Sequence, residues 1–229
     1  FNECEVDELA VVDIYASVEG RGPNFDLLNE LAEECFMPVA YGGGVTNVGQ
    51  AEKVLRLGME KIIVGTAGYV NPELFAEIAK SFGTQCVIAA IDVKSGFSGS
   101  KSCRSHSGRK STGQHAVEWA RRVEGLGAGE ILLTSIDQEG TWEGFDIELI
   151  RSVSDAVSIP VIAHGGAGTH DDIREAVNEG GASAVALGNM VVFQKKDMGV
   201  LVNFPSEAER EAMGLHPALV TDSEIAGQR

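Results

Sequence analysis

The sequence predicts an α/β chain folded as a (β/α)8 TIM barrel made of two repeated halves, with one of the eight strands missing from it. Three observations carry this reading. Apolar runs of strand length alternate with amphipathic stretches of helix length, a segment beginning at Met37 recurs at Ile159, and the strand candidates number seven. The chain has 229 residues, 44% hydrophobic and 28 of them glycine, which suits one large domain with many tight turns.

Glu8 to Ile14 (ELAVVDI) reads as the first strand, followed by a helix from Phe25 to Cys35 with Leu27, Leu28, Leu31 and Ala32 on one face. Pro38 to Tyr41 is the next strand. It runs into Gly42-Gly43-Gly44, and Ala51, Val54, Leu55 and Leu57 then mark a helix that stops near Gly58. Ile62 to Gly65 is a strand, Asn71-Pro72 opens a helix with proline in its first turn, and Gly83 ends it. Cys86 to Val93 (CVIAAIDV) is apolar enough to be buried on both faces. Residues 95–113 are Gly/Ser-rich and basic, and are expected to form a long polar loop. A helix carrying Ala116, Trp119, Ala120 and Val123 follows. Then come strand Glu130 to Ile136, helix Ile147 to Val157, strand Pro160 to His164, helix Asp171 to Asn178 and strand Ala182 to Leu187.

The repeat fixes the architecture. MPVAYGGGVTNVGQ matches IPVIAHGGAGTHDD, and Pro38 and Pro160, like Gly43 and Gly165, stand 122 positions apart. The second half contains four strands and the first only three, so the counterpart of Cys86–Val93 is expected before Phe1, within about 30 further residues of a typical barrel. The barrel is expected over 1–205. Ser206 and Glu209 form a capping-box pattern for a short C-terminal helix, and the polar tail after His216 is expected to be mobile.

A net charge of −16 and a pI near 4.6 argue against nucleic acid and anionic membranes as partners. No apolar run reaches the length of a membrane span and no signal segment opens the chain, so the expected compartment is the cytoplasm. Cys4, Cys35, Cys86 and Cys103 form no CxxC pair and read as structural thiols, with no metal and no cofactor implied.

Glycine turns directly after strands let backbone N–H groups approach a phosphate, and the next helix N-terminus adds a favourable dipole. Two such turns occupy repeated positions: Gly43 and Gly44 with Gly65 and Thr66, and Gly165 and Gly166 with Gly188 and Asn189. Two sites suit a substrate phosphorylated at both ends, and backbone donors reconcile anion binding with an acidic surface. Any one of these glycines serves equally well as a tight turn. Asp92 should stand at the C-terminal rim between the two turns, where barrel enzymes place acid/base groups. Taken alone, an aspartate ending a strand is as often a loop cap, and Asp13 and Asp137 share that ambiguity.

LAVVDIYASVE, PVAYGGGV, VIAAIDVK, HSGRKSTG, GAGEILLTSIDQEGT, GFDIELIRSV and PVIAHGGAG together resemble the cyclase subunit of imidazole glycerol phosphate synthase, from Phe1 to about Phe193. The resemblance implies a lyase/cyclase of histidine biosynthesis. In that family a glutaminase partner at the N-terminal face of the barrel passes ammonia through the core to a bisphosphorylated ribotide at the C-terminal face, giving imidazole glycerol phosphate and aminoimidazole carboxamide ribotide. It also implies that Asp92 is one of two acid/base aspartates, its partner belonging to the absent strand. Gly44, Thr66, Gly166 and Gly188 match the phosphate turns, Gly140 and Thr134 lie near the substrate, and Glu8, Lys61 and Glu130 match a charged ring at the ammonia entrance.

The sequence departs from that pattern in places. His164 replaces a small hydroxyl residue, Gly65 replaces an asparagine, and Tyr15 enlarges the rim after Asp13. His164 is expected to be a neutral hydrogen-bonding group, with a catalytic acid as the alternative role. The ending GVLVNFP is similar to a paralogous branch associated with sugar amidation for surface polysaccharides. Three readings follow: the histidine-pathway cyclase, an ammonia-delivering barrel of sugar amidation, and a non-catalytic scaffold that binds a glutaminase.

Overall fold

The computed structural model describes residues 1–4, 6–96, 99–193 and 199–215; the expected tail after His216 lies outside them. Among the described residues nine strands form one sheet: β1 (Leu9–Val12), β2 (Val39–Gly42), β3 (Lys61–Val64), β4 (Val87–Ser95), β5 (Lys101–Ser105), β6 (Lys110–His115), β7 (Glu130–Ser135), β8 (Val161–His164) and β9 (Ala184–Ala186). The helices are α1 (Ala16–Glu19), α2 (Phe25–Glu34), α3 (Val48–Arg56), α4 (Thr66–Val70), α5 (Glu73–Phe82), α6 (Ala116–Gly125), α7 (Ile147–Ser154), α8 (His170–Asn178), α9 (Asn189–Val192) and α10 (Glu207–Ala212).

Seven strands run parallel in the order β1-β2-β3-β4-β7-β8-β9. Each lies beside its predecessor in this series, without the reversal of order that marks a doubly wound sheet. The helices pack on a single face, where their apolar residues share a core with one side of the strands. The other face curls inward. Lys61, opening β3, touches Glu8 from the β1 side and Glu130 from β7, each at 2.9 Å. In a flat sheet β1 and β7, four spacings apart, would lie about 19 Å from one another. A parallel sheet curled in this way is the expected TIM-barrel architecture. Among the described residues β1 and β9 are its edges, and Val12 on β1 is 49% exposed.

The period of two along the strands separates two cores. Outward residues such as Ile62, Ile91, Ile131 and Leu133 are fully buried against helix residues Leu74, Trp119, Leu149 and Ile173. Each such side chain contributes roughly 1.5–3 kcal/mol. Inward residues Ala40, Ile63, Ile88 and Leu132 form a smaller core, joined by Ala90, Ile162 and Ala186. Helix starts follow the sequence: Asn24, Asn47 and Asp146 accept from the backbone N–H three residues on, and Thr169 forms a capping box with Asp172.

Residues 95–113 depart from the expected loop. They contain much of an antiparallel hairpin, β5–β6, laid along the extended end of β4, with Val93 opposite Cys103 and Asp92 opposite Arg104. The strands are polar because only Cys103 and Ser105 of β5 are buried, Cys103 within the outer core, so the usual apolar alternation is muted. His106, Ser107 and Gly108 make the tip with positive φ. The short helices α1, α4 and α9 were also not anticipated; at four or five residues each they are too brief to show a helical period. The expected capping box of Ser206 and Glu209 is present at α10, whose Arg210 approaches Asp7 at 3.6 Å while Met213 joins the outer core.

Candidate active site

The C-terminal ends of the parallel strands converge on one rim. Asp92, Thr134 and His164 are direct neighbours in register across β4, β7 and β8. Thr134 Oγ1 lies 3.1 Å from His164 Nδ1, and Glu139 Oε2 lies 3.4 Å from His164 Nε2. Burial raises the Asp92 carboxyl to about 6, offset in part by the Thr134 hydroxyl. Burial also pulls the His164 imidazolium down against the attraction of Glu139, which favours a neutral ring.

The other two aspartates have structural partners. Asp13 accepts from the Tyr15 and Ala16 amides and both outer nitrogens of Arg21, which hold it below the ordinary carboxylate range. Asp137 accepts from the Ser95 amide at 2.7 Å. Asp13 is thus held below the ordinary carboxylate range, whereas burial lifts Asp92 toward neutrality.

The second glycine set is brought together. Gly140, His164, Gly165, Gly166, Gly188 and Asn189 line one shallow recess that opens to solvent. Glu139 and Trp142 line it too. Neither was singled out from the sequence, where the only signal was an aromatic in a polar loop. A Cβ on Gly166 would overlap the Gly144 carbonyl, and one on Gly165 would crowd the Ser135 carbonyl. Only glycine permits these close approaches.

The first set has the same construction. A Cβ on Gly44 would overlap the Arg21 carbonyl, and one on Gly43 would press on Asp13 and Tyr41. Gly65 opens α4 with φ −113° and ψ −101°, and Gly188 opens α9 with φ −108° and ψ −93°. The hairpin tip overlies this half of the rim. The His106 amide donates to Thr66 Oγ1 at 2.9 Å, and the Ser107 hydroxyl donates to the Ile14 carbonyl.

At the opposite end, Lys61 sits between Glu8 and Glu130. Burial pulls the Lys61 ammonium down, but the two carboxylates outweigh it and hold its pKa above the ordinary lysine value. From Glu130 to Thr134 the strand climbs about 13 Å, at roughly 3.3 Å per residue. The inward residue between them is Leu132. Charged floor, apolar middle and polar rim are therefore stacked along one axis.

Comparison with known proteins identifies the family. The family model described as "Histidine biosynthesis protein" matches residues 1–197. A Leptospira borgpetersenii protein named "Putative imidazole glycerol phosphate synthase subunit HisF" is 42% identical over 214 residues, covering 93% of this chain and 84% of that protein. A Pseudomonas aeruginosa protein named "Putative imidazole glycerol phosphate synthase subunit hisF2" is 43% identical over 205 residues, covering 90% of this chain and 82% of that protein. On the barrel, its repeated glycine turns and these matches, the chain belongs to the histidine biosynthesis protein family.

Proposed function

We propose that this chain is the ammonia-using cyclase subunit of an imidazole glycerol phosphate synthase. It would split a bisphosphorylated ribotide, with ammonia, into imidazole glycerol phosphate and aminoimidazole carboxamide ribotide. The observation that carries this reading is Asp92, exchangeable near neutrality and held between two repeat-related glycine turns on one rim. Gly43, Gly44, Gly65 and Thr66 hold one phosphate, and Gly165, Gly166, Gly188 and Asn189 the other. Backbone donors at these turns need no basic surface. Asp92 moves the proton at the reacting centre, at a pKa suited to general acid/base work.

A glutaminase docks at the floor and delivers ammonia past Glu8, Lys61 and Glu130. The apolar layer of Ile63, Ile88 and Leu132 favours this route, because neutral ammonia crosses such a layer at far less cost than ammonium. The test is turnover of the bisphosphorylated ribotide by the purified protein with ammonium salts and no partner. Turnover that Asp92→Asn abolishes is expected. A folded protein that shows none, and does not restore histidine-independent growth to a cyclase-deficient bacterium, overturns the reading.

A second reading, ammonia delivery for sugar amidation, rests on the GVLVNFP segment. It packs against the helix of the second glycine turn: the Leu201 amide donates to the Val192 carbonyl at 2.9 Å and the Asn203 amide to the Val191 carbonyl at 2.8 Å. With His164 in the recess, this turn differs from the cyclase pattern. Tight binding of an aminated nucleotide sugar, with no turnover of the ribotide, would favour this reading.

A further inference from the structure

Asp92, Thr134, His164 and Glu139 run as a file from the buried centre of the rim to its exposed edge, where the Glu139 side chain is 41% accessible. A threonine hydroxyl has one proton and can donate it in one direction only. A carboxylate beside Nε2 favours the tautomer with the proton on that nitrogen, which leaves Nδ1 as an acceptor.

We propose that His164 is a positioning residue: Glu139 fixes its tautomer, its Nδ1 takes the Thr134 proton, and the Thr134 oxygen is left facing Asp92 as an acceptor. An acceptor beside a carboxyl stabilises its protonated form, so the file holds Asp92 ready as an acid. With the other tautomer, His164 donates to Thr134, and the freed hydroxyl proton turns to the Asp92 carboxylate. The remaining titratable groups against Asp92 are the Tyr69 hydroxyl from α4 and the Cys103 thiol from β5. Burial raises both and keeps them neutral. Arg104, opposite Asp92 in register, donates its Nε to the Gly108 carbonyl. The role assigned to Asp92 rests on the cyclase reading; the behaviour of the file does not.

The experiment is NMR titration of the full chain labelled at histidine ring nitrogens and aspartate carboxyl carbons, with His164→Asn and Asp92→Asn giving the assignments. His164 is expected to be neutral with its proton on Nε2, and the Asp92 midpoint to lie no lower than about 6, the value that results when the Thr134 hydroxyl donates to it. Glu139→Ala should move the proton toward Nδ1 and lower the Asp92 midpoint by about one pH unit. Losing the Glu139 charge alone would also lower it, so the deciding arm is the near-isosteric Thr134→Val background. There Glu139→Ala should move Asp92 by the charge effect alone, less than half of the shift seen with Thr134 present. A shift of undiminished size in Thr134→Val, or a wild-type ring protonated on Nδ1, overturns the proposal. These readouts need no substrate, so a wild-type protein that fails to turn over the ribotide counts against the cyclase reading alone.

Discussion

Gly44 and Gly166, 122 positions apart, are each overlain by backbone from the preceding βα loop, Gly44 by the Arg21 carbonyl and Gly166 by the Gly144 carbonyl. Both have positive φ, 70° and 108°. Alanine at either position should destabilise the fold by roughly 1–3 kcal/mol through overlap with backbone that cannot move aside. Gly166→Ala should cost more, since a φ of 108° lies further from the left-handed well an alanine can occupy. Urea unfolding of the two variants checks the order. Equal stability to the native protein would mean the loops do not pack as described.

Lys61 is the shared counter-ion of two carboxylates. Lys61→Met should destabilise by about 1–4 kcal/mol at pH 7, because it leaves Glu8 and Glu130 facing each other, partly buried and uncompensated. Adding Glu8→Gln and Glu130→Gln should recover most of that loss. Chemical denaturation of the single and triple variants separates repulsion between orphaned carboxylates from simple lost packing, for which the triple variant would recover nothing.

The raised Asp92 carboxyl gives a pH signature with a definite sign. In the folded protein it titrates at about 6, above the ordinary 3.8, so the folded state holds the proton more tightly. Its contribution to stability is therefore lost as pH rises from about 4 to about 6, and stays lost above that. Asp92→Asn should match the native protein near pH 4 and exceed it by up to about 3 kcal/mol at pH 7.5. Thermal unfolding across that range tests this, and a difference that does not vary with pH would contradict it. Under the cyclase reading the same variant should lose at least about 100-fold in turnover.

The hairpin tip is pinned to the rim through His106 and Thr66. Thr66→Val removes the acceptor while keeping the shape of the side chain. The His106 amide should then exchange with deuterium about five-fold faster, as expected for the net loss of roughly 1 kcal/mol in one hydrogen bond. Amides within β4 should be unaffected. Unchanged exchange at His106 would place the tip elsewhere in solution.

The parallel strands were legible because buried β runs such as CVIAAI, ahead of Asp92, are apolar without interruption, and because the duplicated PVAYGGG and PVIAHGG segments locate equivalent turns. Ends shifted by a residue or two, as where β3 begins at Lys61 instead of Ile62. The hairpin was hidden for a physical reason. Its pairing comes from a backbone ladder with β4, and backbone ladders leave little trace in a run such as KSCRSHSGRKSTG.

By itself the sequence determined the order of βα units, the half-barrel repeat, and which residue types stand at strand ends: Asp92, the paired glycines, and the charges of Glu8, Lys61 and Glu130. These follow from local periodicity and from glycine's freedom at positive φ, both written along the chain. Only the tertiary structure decided what surrounds each aspartate. Asp13, Asp92 and Asp137 look alike in sequence, but Arg21 and backbone amides claim the first, the Ser95 amide claims the third, and burial raises the second. The tertiary structure likewise set His164 between Thr134 and Glu139. Such contacts depend on the register between strands and the curl of the sheet, which arise only when segments distant in sequence pack together.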